Sequence, residues 1–294
     1  MPRRHRALRS IALFALAGCV AEQVAPPVDC PASSFRSSPP LVIAHGGGEG
    51  LGPNNTIIAM QRSMRAGADV LDADLWMSSD GVIVARHDRE LSTTTDGNGF
   101  VDEHSWADLR RLDAAARWTG DPIEEIVTIP SLVEILEKFP DVLISLEIKQ
   151  TRPSMADELC EVLISTDSLD RVYLSSNDDS AVYEARDACP GTLIITTTYT
   201  DLDERRAAQE RGEPWCAKSP IGQPPYRDGR FDADRVADAH AHGQAIFTWT
   251  VDDPDVLREL AEAGVDGVYT RRPDIARAVF DEFAATGGSG VADR

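Results

Sequence analysis

Between residues 41 and 285, short runs of aliphatic and β-branched residues alternate with longer stretches whose apolar positions recur every three to four residues. The strand-like runs are Leu41–Gly46, Val70–Trp76, Leu143–Lys149, Val172–Ser176, Leu193–Tyr199, Ala217–Pro220, Ala245–Val251 and Val265–Thr270. The helix-like stretches that follow them, in the same order, are Thr56–Ala66, Ser131–Lys138, Ser154–Ser165, Ser180–Ala188, Leu202–Arg211, Ala233–His242, Pro254–Ala263 and Pro273–Ala285. Strand and helix alternating in this way predict an α/β fold, a closed parallel (β/α)8 barrel over 41–285. The alternation breaks once. After Trp76, the residues Ser79, Asp80 and Gly81 form a turn signal and Val82–Ala85 returns as a strand, so a β-hairpin is expected after the second strand. Pairing about that turn brings His87 opposite Asp74, and residues 89–129, with a short helix near Trp106–Leu112, are left as a small insertion above the barrel.

The strand ends carry polar residues for which an apolar core has no use: His45, Asp72 with Asp74, His87 with Asp88, and Glu147 with Lys149. Strand side chains alternate faces, so Asp72 and Asp74 share one face of their strand, as Glu147 and Lys149 do of theirs, which puts the acids on a shared inner surface with the interleaved aliphatics opposite. Three carboxylates converging at one barrel mouth repel, and either their pKa values rise or a cation joins them. Asp72, Asp74 and Glu147 offer hard oxygen donors suited to Mg²⁺ or Ca²⁺. No Cys/His cluster with zinc spacing competes. A glycosidase also uses two carboxylates, but that reading leaves the two histidines without work. Lys149 either touches a phosphate oxygen or neutralises the acids, Asp88 orients His87, and Trp249 is an apolar wall at the mouth or a packed indole. His104, His240 and His242 read as solvated or structural.

Charge narrows the partners. The formal net charge of −20 disfavours nucleic acid, and a phosphate-bearing substrate must be met by a local cation. No protein partner is evident from the chain. The N-terminus reads as a leader: Met1–Arg9 is basic, Ile11–Leu16 is apolar, and the Leu16-Ala17-Gly18-Cys19 run resembles a lipobox. An apolar run this short does not span the ~30 Å of a bilayer interior. Residues 1–18 are therefore expected to be a cleaved lipoprotein signal, Cys19 the lipidated residue, 19–40 a flexible tether and 286–294 a disordered tail. This implies a bacterial cell-envelope address, facing periplasm or exterior, with the membrane reached through a lipid anchor. Cys30, Cys160, Cys189 and Cys216 remain, an even number with three complete pairings; Cys160 and Cys189 fall on consecutive predicted helices.

The series Ala44–Gly47, Pro53–Thr56, Leu71–Leu75, Asp80–Asp88, Thr94–Gly97, Ile129–Leu132, Glu147–Lys149 and Trp249–Val251 resembles the glycerophosphodiester phosphodiesterase family across about Leu41–Pro273. The resemblance implies a TIM-type barrel with a small insertion, a divalent metal, and hydrolysis of glycerophosphodiesters to glycerol phosphate and an alcohol. It makes His45 and His87 the acid–base pair, Asp72, Asp74 and Glu147 the metal ligands, and Lys149 a phosphate contact. One imidazole would remove a substrate hydroxyl proton and the other protonate the leaving alcohol, through a cyclic phosphate that is then hydrolysed. Four positions depart from the family's usual residues: Gly46 replaces an Arg, Asn54 a Glu, Asp72 a longer Glu, and Thr93 an Arg. Other readings are a phospholipase D- or sphingomyelinase-like enzyme acting on intact lipid, and a non-catalytic envelope binding barrel.

Overall fold

The computed structural model describes residues 29–189, 194–197, 199–227 and 231–287. The lipobox, Cys19 and most of the expected tail lie outside the described residues. Nine strands form one sheet: β1 (Leu41–Ala44), β2 (Val70–Met77), β3 (Ile83–Ala85), β4 (Leu143–Ile148), β5 (Val172–Ser175), β6 (Ile194–Ile195), β7 (Ile221–Gly222), β8 (Ala245–Thr248) and β9 (Gly267–Thr270). The helices are α1 (Ile57–Arg65), α2 (Trp106–Leu109), α3 (Leu132–Lys138), α4 (Ala156–Ser165), α5 (Asp179–Ala188), α6 (Thr200–Arg211), α7 (Ala233–Ala241), α8 (Pro254–Glu262) and α9 (Pro273–Ala285). The strand order is β6-β5-β4-β2-β1-β9-β8-β7, parallel throughout, with β3 antiparallel on β2. This curled parallel sheet alternating with helices is the α/β barrel architecture that the sequence pattern predicts, though its end strands β6 and β7 are not paired with each other among the described residues.

Local chemistry starts the helices where the pattern does. Thr56 accepts from the backbone N–H of Ala59, Ser131 and Glu134 form a reciprocal capping box, and Asp253 caps a helix whose first residue is Pro254. Between strands and helices lies a continuous aliphatic layer that includes Val42, Leu71, Leu75, Leu146, Leu174 and Phe280. A second, smaller cluster, including Ile43, Val70, Tyr173, Phe247 and Tyr269, fills the barrel interior.

Three sequence expectations change. Residues 30–40 are not a free tether: Cys30 is disulfide-bonded to Cys216, Ser37 N–H donates to Asp266, and the Phe35 ring stands edge-on to Tyr173 and Phe247 at 6.1 and 6.3 Å. Phe35 thereby caps the interior cluster. The expected strand Ala217–Pro220 does not form, because the N–H groups of Lys218 and Ser219 are taken by the Asp201 carboxylate instead of a neighbouring strand; pairing begins at Ile221. The hairpin is one residue out of the expected register: Leu75, Trp76 and Met77 pair with Ala85, Val84 and Ile83, and Arg86, not His87, donates its N–H to Asp74 O. Ser78 sets this register by bonding Val82 twice, through its own N–H and through its hydroxyl, which accepts from Val82 N–H. The second disulfide joins Cys160 to Cys189 on neighbouring helices.

Candidate active site

The C-terminal ends of the strands open on a cleft of about 350 Å³ lined by His45, Asp72, His87, Glu147, Lys149, Ser175, Asn177, Tyr199, Gln223, Trp249 and Tyr269. His45 begins a short 3-10 turn after β1, in which Gly46, Gly47 and Gly48 all have positive φ. Glycine adopts that conformation without the Cβ clash other residues meet. The turn aims the Gly46 N–H at Asp72 Oδ2, 3.0 Å away, and the same oxygen lies 3.2 Å from His45 Nδ1. Asp72 is buried. Burial pulls the His45 pKa down, but the Asp72 hydrogen bond and the charges of Asp72, Asp74 and Glu49 outweigh it and hold His45 at about 9. Burial opposes the Asp72 charge too, and the His45 contact together with the Gly46 N–H still keeps it below the usual carboxylate range.

Parallel register brings the acids of β2 and β4 together: Asp72 lies beside Ser145, and Asp74 beside Glu147. Between Asp74 and Glu147 sits the Lys149 ammonium, 3.2 Å from Asp74 Oδ1 and 2.8 Å from Glu147 Oε1. Lys149 thus answers the repulsion that the sequence raised, from within the chain. Burial pushes the Glu147 pKa up, Lys149 opposes that, and the charge of Asp74 reinforces it; burial would lower Lys149, but Asp74 and Glu147 raise it above its ordinary value. Asn55, itself at a positive φ of 58°, clamps Asp74 by donating to Oδ2 at 2.7 Å and accepting the Asp74 N–H at 2.9 Å. Asn177 donates to Glu147 at 3.2 Å.

The three carboxylates are hard oxygen donors of the kind a divalent cation takes, and two of them, Asp74 and Glu147, face one point, which the Lys149 ammonium fills. Asp74 Oδ1 is a buried oxygen paired with the same ammonium as Glu147. Asp72 is instead turned to His45 and Gly46, so among the described residues no three His, Cys, Asp or Glu groups close around one point.

His87 is half exposed on the opposite lip, with its Nδ1 2.9 Å from Asp88 Oδ1 and its carbonyl accepting from the Trp76 indole at 3.0 Å. The strand pairing ends before it, so the one-residue register change leaves His87 in the cleft. Arg86 is buried and is no phosphate contact. Its guanidinium donates to the carbonyls of Asp88, Glu90 and Leu91 and to the hydroxyls of Thr93 and Thr94, tying the insertion to the hairpin. Burial lowers its pKa to about 10.

Two of the departures from the family pattern touch: a Cβ at Gly46 would run into the Asn54 side-chain amide. A long side chain at residue 46 therefore requires residue 54 to move. Asn54 in turn donates to Glu49 Oε2 at 2.7 Å, and Glu49 supplies part of the negative field on His45.

Sequence reasoning missed what lies beneath the cleft. Ser145 Oγ and Tyr173 Oη lie 3.1 and 3.0 Å from Tyr269 Oη, which also accepts from Gln223 Nε2, and the Tyr269 ring stands edge-on to His45 at 6.2 Å. The signal was present in the alternation: Ser145 stands two residues before Glu147, and Tyr173 two before Ser175, on the same strand faces. Trp249 is exposed in the cleft and donates its indole N–H to Gln223 O at 2.9 Å, so it is not a packed core indole.

The barrel and its catalytic face are those of a phosphoric diester hydrolase. The chain belongs to the glycerophosphoryl diester phosphodiesterase family, whose pattern matches residues 45–275. It is 29% identical over 241 residues to the glycerophosphodiester phosphodiesterase of Caldanaerobacter subterraneus subsp. tengcongensis, covering 80% of this chain and 95% of that one. The fold is shared with the crystal structure of glycerophosphodiester phosphodiesterase from Agrobacterium tumefaciens (TM-score 0.66, 23% identity, 81% of this chain and 99% of that one). It is also shared with an Oleispira antarctica phosphodiesterase in complex with the product sn-glycerol-3-phosphate (TM-score 0.65, 24% identity, 82% and 97%).

Proposed function

We propose that this enzyme hydrolyses glycerophosphodiesters to glycerol phosphate and an alcohol, with His45 and His87 as the acid–base pair and Mg²⁺ or Ca²⁺ held by Asp72, Asp74 and Glu147. The observation that carries this reading is that both imidazoles line one cleft with Glu147 and Lys149 in a chain of this family. The product bound by the Oleispira antarctica phosphodiesterase supports glycerol 3-phosphate as the retained fragment. A bound divalent cation supplies positive charge against the nonbridging phosphate oxygens. The chain's own residues do the rest. Each histidine has one ring nitrogen engaged by a carboxylate, His45 by Asp72 and His87 by Asp88, which leaves the other nitrogen to move a proton. Lys149 meets the phosphate, and Trp249 walls the head group.

A metal-stripped preparation given glycerophosphocholine or glycerophosphoethanolamine is expected to release glycerol 3-phosphate only after Mg²⁺, Ca²⁺ or Mn²⁺ is added. Full turnover in the stripped enzyme would refute the metal, and no turnover under any of the three would refute the activity.

We also infer a lipid anchor at Cys19 and a cell-envelope address, facing periplasm or exterior. The two disulfides support an oxidising compartment. Mass spectrometry of the N-terminal peptide from the native host is expected to find an acylated Cys19; an intact, unmodified Met1 would sink this inference.

A further inference from the structure

The parallel sheet has a seam. β6 and β7, its two ends in the strand order, are only two residues long, and no backbone pairing joins them among the described residues. Gln223 follows β7 directly, on the wall that the catalytic cleft shares with an apolar cavity between α6 and α7. Its polar groups reach three different parts of the barrel. Oε1 accepts from Thr196 Oγ1 at 2.9 Å, next to the end of β6; the backbone carbonyl accepts from the Trp249 indole at 2.9 Å; and Nε2 donates to Tyr269 Oη on β9. One residue thus ties the open side of the sheet to the floor of the cleft and to Trp249 at its mouth.

The bond to Tyr269 begins a chain that ends at His45. Tyr269 Oη lies 3.1 Å from Ser145 Oγ, and Ser145 stands beside Asp72 in the register of β2 with β4 and donates to its carboxylate. Asp72 in turn engages His45 Nδ1 at 3.2 Å. The two ends of this chain allow only one direction. An amide nitrogen only donates and an ionised carboxylate only accepts, so Tyr269 accepts from Gln223 and donates to Ser145, and Ser145 donates to Asp72. The Tyr173 hydroxyl, 3.0 Å from Tyr269 Oη and kept protonated by burial, joins as a second donor to that oxygen. Ser145, Tyr173 and Tyr269 are all buried. Each O–H therefore points its positive end toward Asp72, and hydrogen bonds aligned in this way polarise one another in a buried site. Reversing any one link would turn a lone pair toward a buried carboxylate.

We propose that Gln223 is a positioning residue for the hydrolysis: its amide sets the direction of the Tyr269 and Ser145 hydroxyls that hold Asp72, and through Asp72 it fixes the His45 imidazole. The inference rests on the role given to His45 above. Gln223 acts through Tyr269 and Ser145, and a change of its side chain leaves in place the backbone carbonyl that holds Trp249.

The test is a cycle of variants of the metal-loaded full chain, with kcat and KM measured for glycerophosphocholine. Gln223→Met keeps the length of the side chain and removes its donor; it is expected to lower kcat by about fivefold, the worth of one hydrogen bond, with KM within twofold. Once Tyr269→Phe has removed the hydroxyl, the same change is expected to alter kcat less than twofold. Gln223→Glu is expected to cost at least tenfold in kcat, because an ionised side chain there can only accept and draws the Tyr269 proton away from Ser145. Thr196→Val breaks the seam bond alone; it is expected to lower the melting temperature and keep kcat within twofold. Full kcat in Gln223→Met, an equal loss from it with and without the Tyr269 hydroxyl, or a matching loss of kcat in Thr196→Val would overturn the proposal. A second readout needs no turnover: in ¹⁵N-labelled protein at one fixed pH, the His45 Nδ1 resonance, assigned by its disappearance in His45→Ala, is expected to shift in Gln223→Met and not to shift further when that change is added to Tyr269→Phe. An unmoved resonance overturns the positioning role whether or not any diester is hydrolysed, whereas a shifted resonance without hydrolysis refutes the activity reading alone.

Discussion

His87→Ala is expected to lower kcat by about 10³-fold with an unchanged melting temperature, within the 10²–10⁴ that general acid–base catalysis contributes. The side chain is half exposed, and its only described polar partner is the neighbouring Asp88. Removing it costs the fold little and removes a proton carrier from the lip of the cleft. His45→Ala is expected to match that loss in kcat but to destabilise the protein as well, by about 1–3 kcal/mol, because Asp72 is buried and loses a hydrogen-bond partner. The pair of variants thus separates chemistry from stability: both lose turnover, and only one loses melting temperature. Glycerol 3-phosphate release and thermal unfolding, measured on the same samples, check this. More than a tenth of the wild-type rate in either variant would remove that histidine from the mechanism.

Asp72→Asn is expected to lower kcat by at least 10²-fold. One carboxylate oxygen serves both the His45 imidazole and the Gly46 N–H, so the charge fixes the ring and the turn that carries it. An amide keeps the volume but gives up the negative charge that favours the imidazolium. The same residue is the proposed metal ligand that is turned away from Asp74 and Glu147, and the two roles predict different companions to the lost rate. If Asp72 acts as a ligand, the metal concentration for half-activity rises in Asp72→Asn and falls again in Asp72→Glu, which restores a carboxylate on a longer stem. If Asp72 acts only by orienting His45, the half-activating concentration is the same in all three proteins, and the metal assignment for Asp72 fails while the positioning role stands. Metal titrations of the wild type and the two variants distinguish these outcomes.

Much of this molecule can be read from local pattern. The alternation in Val70–Met77 and Leu143–Ile148 placed Asp72, Asp74, Glu147 and Lys149 at the strand ends, and in the structure the register of β2 with β4 sets Asp74 beside Glu147. Helix starts at Ile57, Leu132 and Pro254 follow from capping residues that act within one turn. These features depend on neighbours in sequence. The sequence resemblance likewise identified the family that residues 45–275 match.

The remainder depends on partners distant in the chain. The hairpin register turned on whether Ser78 bonds Val82, a choice worth one residue and not visible in an Asp-Gly signal alone. Ala217–Pro220 reads as a strand, yet Asp201 on α6 competes for its N–H groups. Phe35 reads as tether until the barrel presents Tyr173 and Phe247 for it to cover. The sequence by itself determined the order of strands and helices and the faces on which the acids stand, because periodicity and capping are written in adjacent residues. Only the tertiary structure decided that Lys149 bridges Asp74 and Glu147, that Gly46 lies against Asn54, and that β6 and β7 meet across a seam beside an apolar cavity. Each of these is a contact between segments whose distance is set by the curl of the whole sheet, and no local pattern encodes that distance.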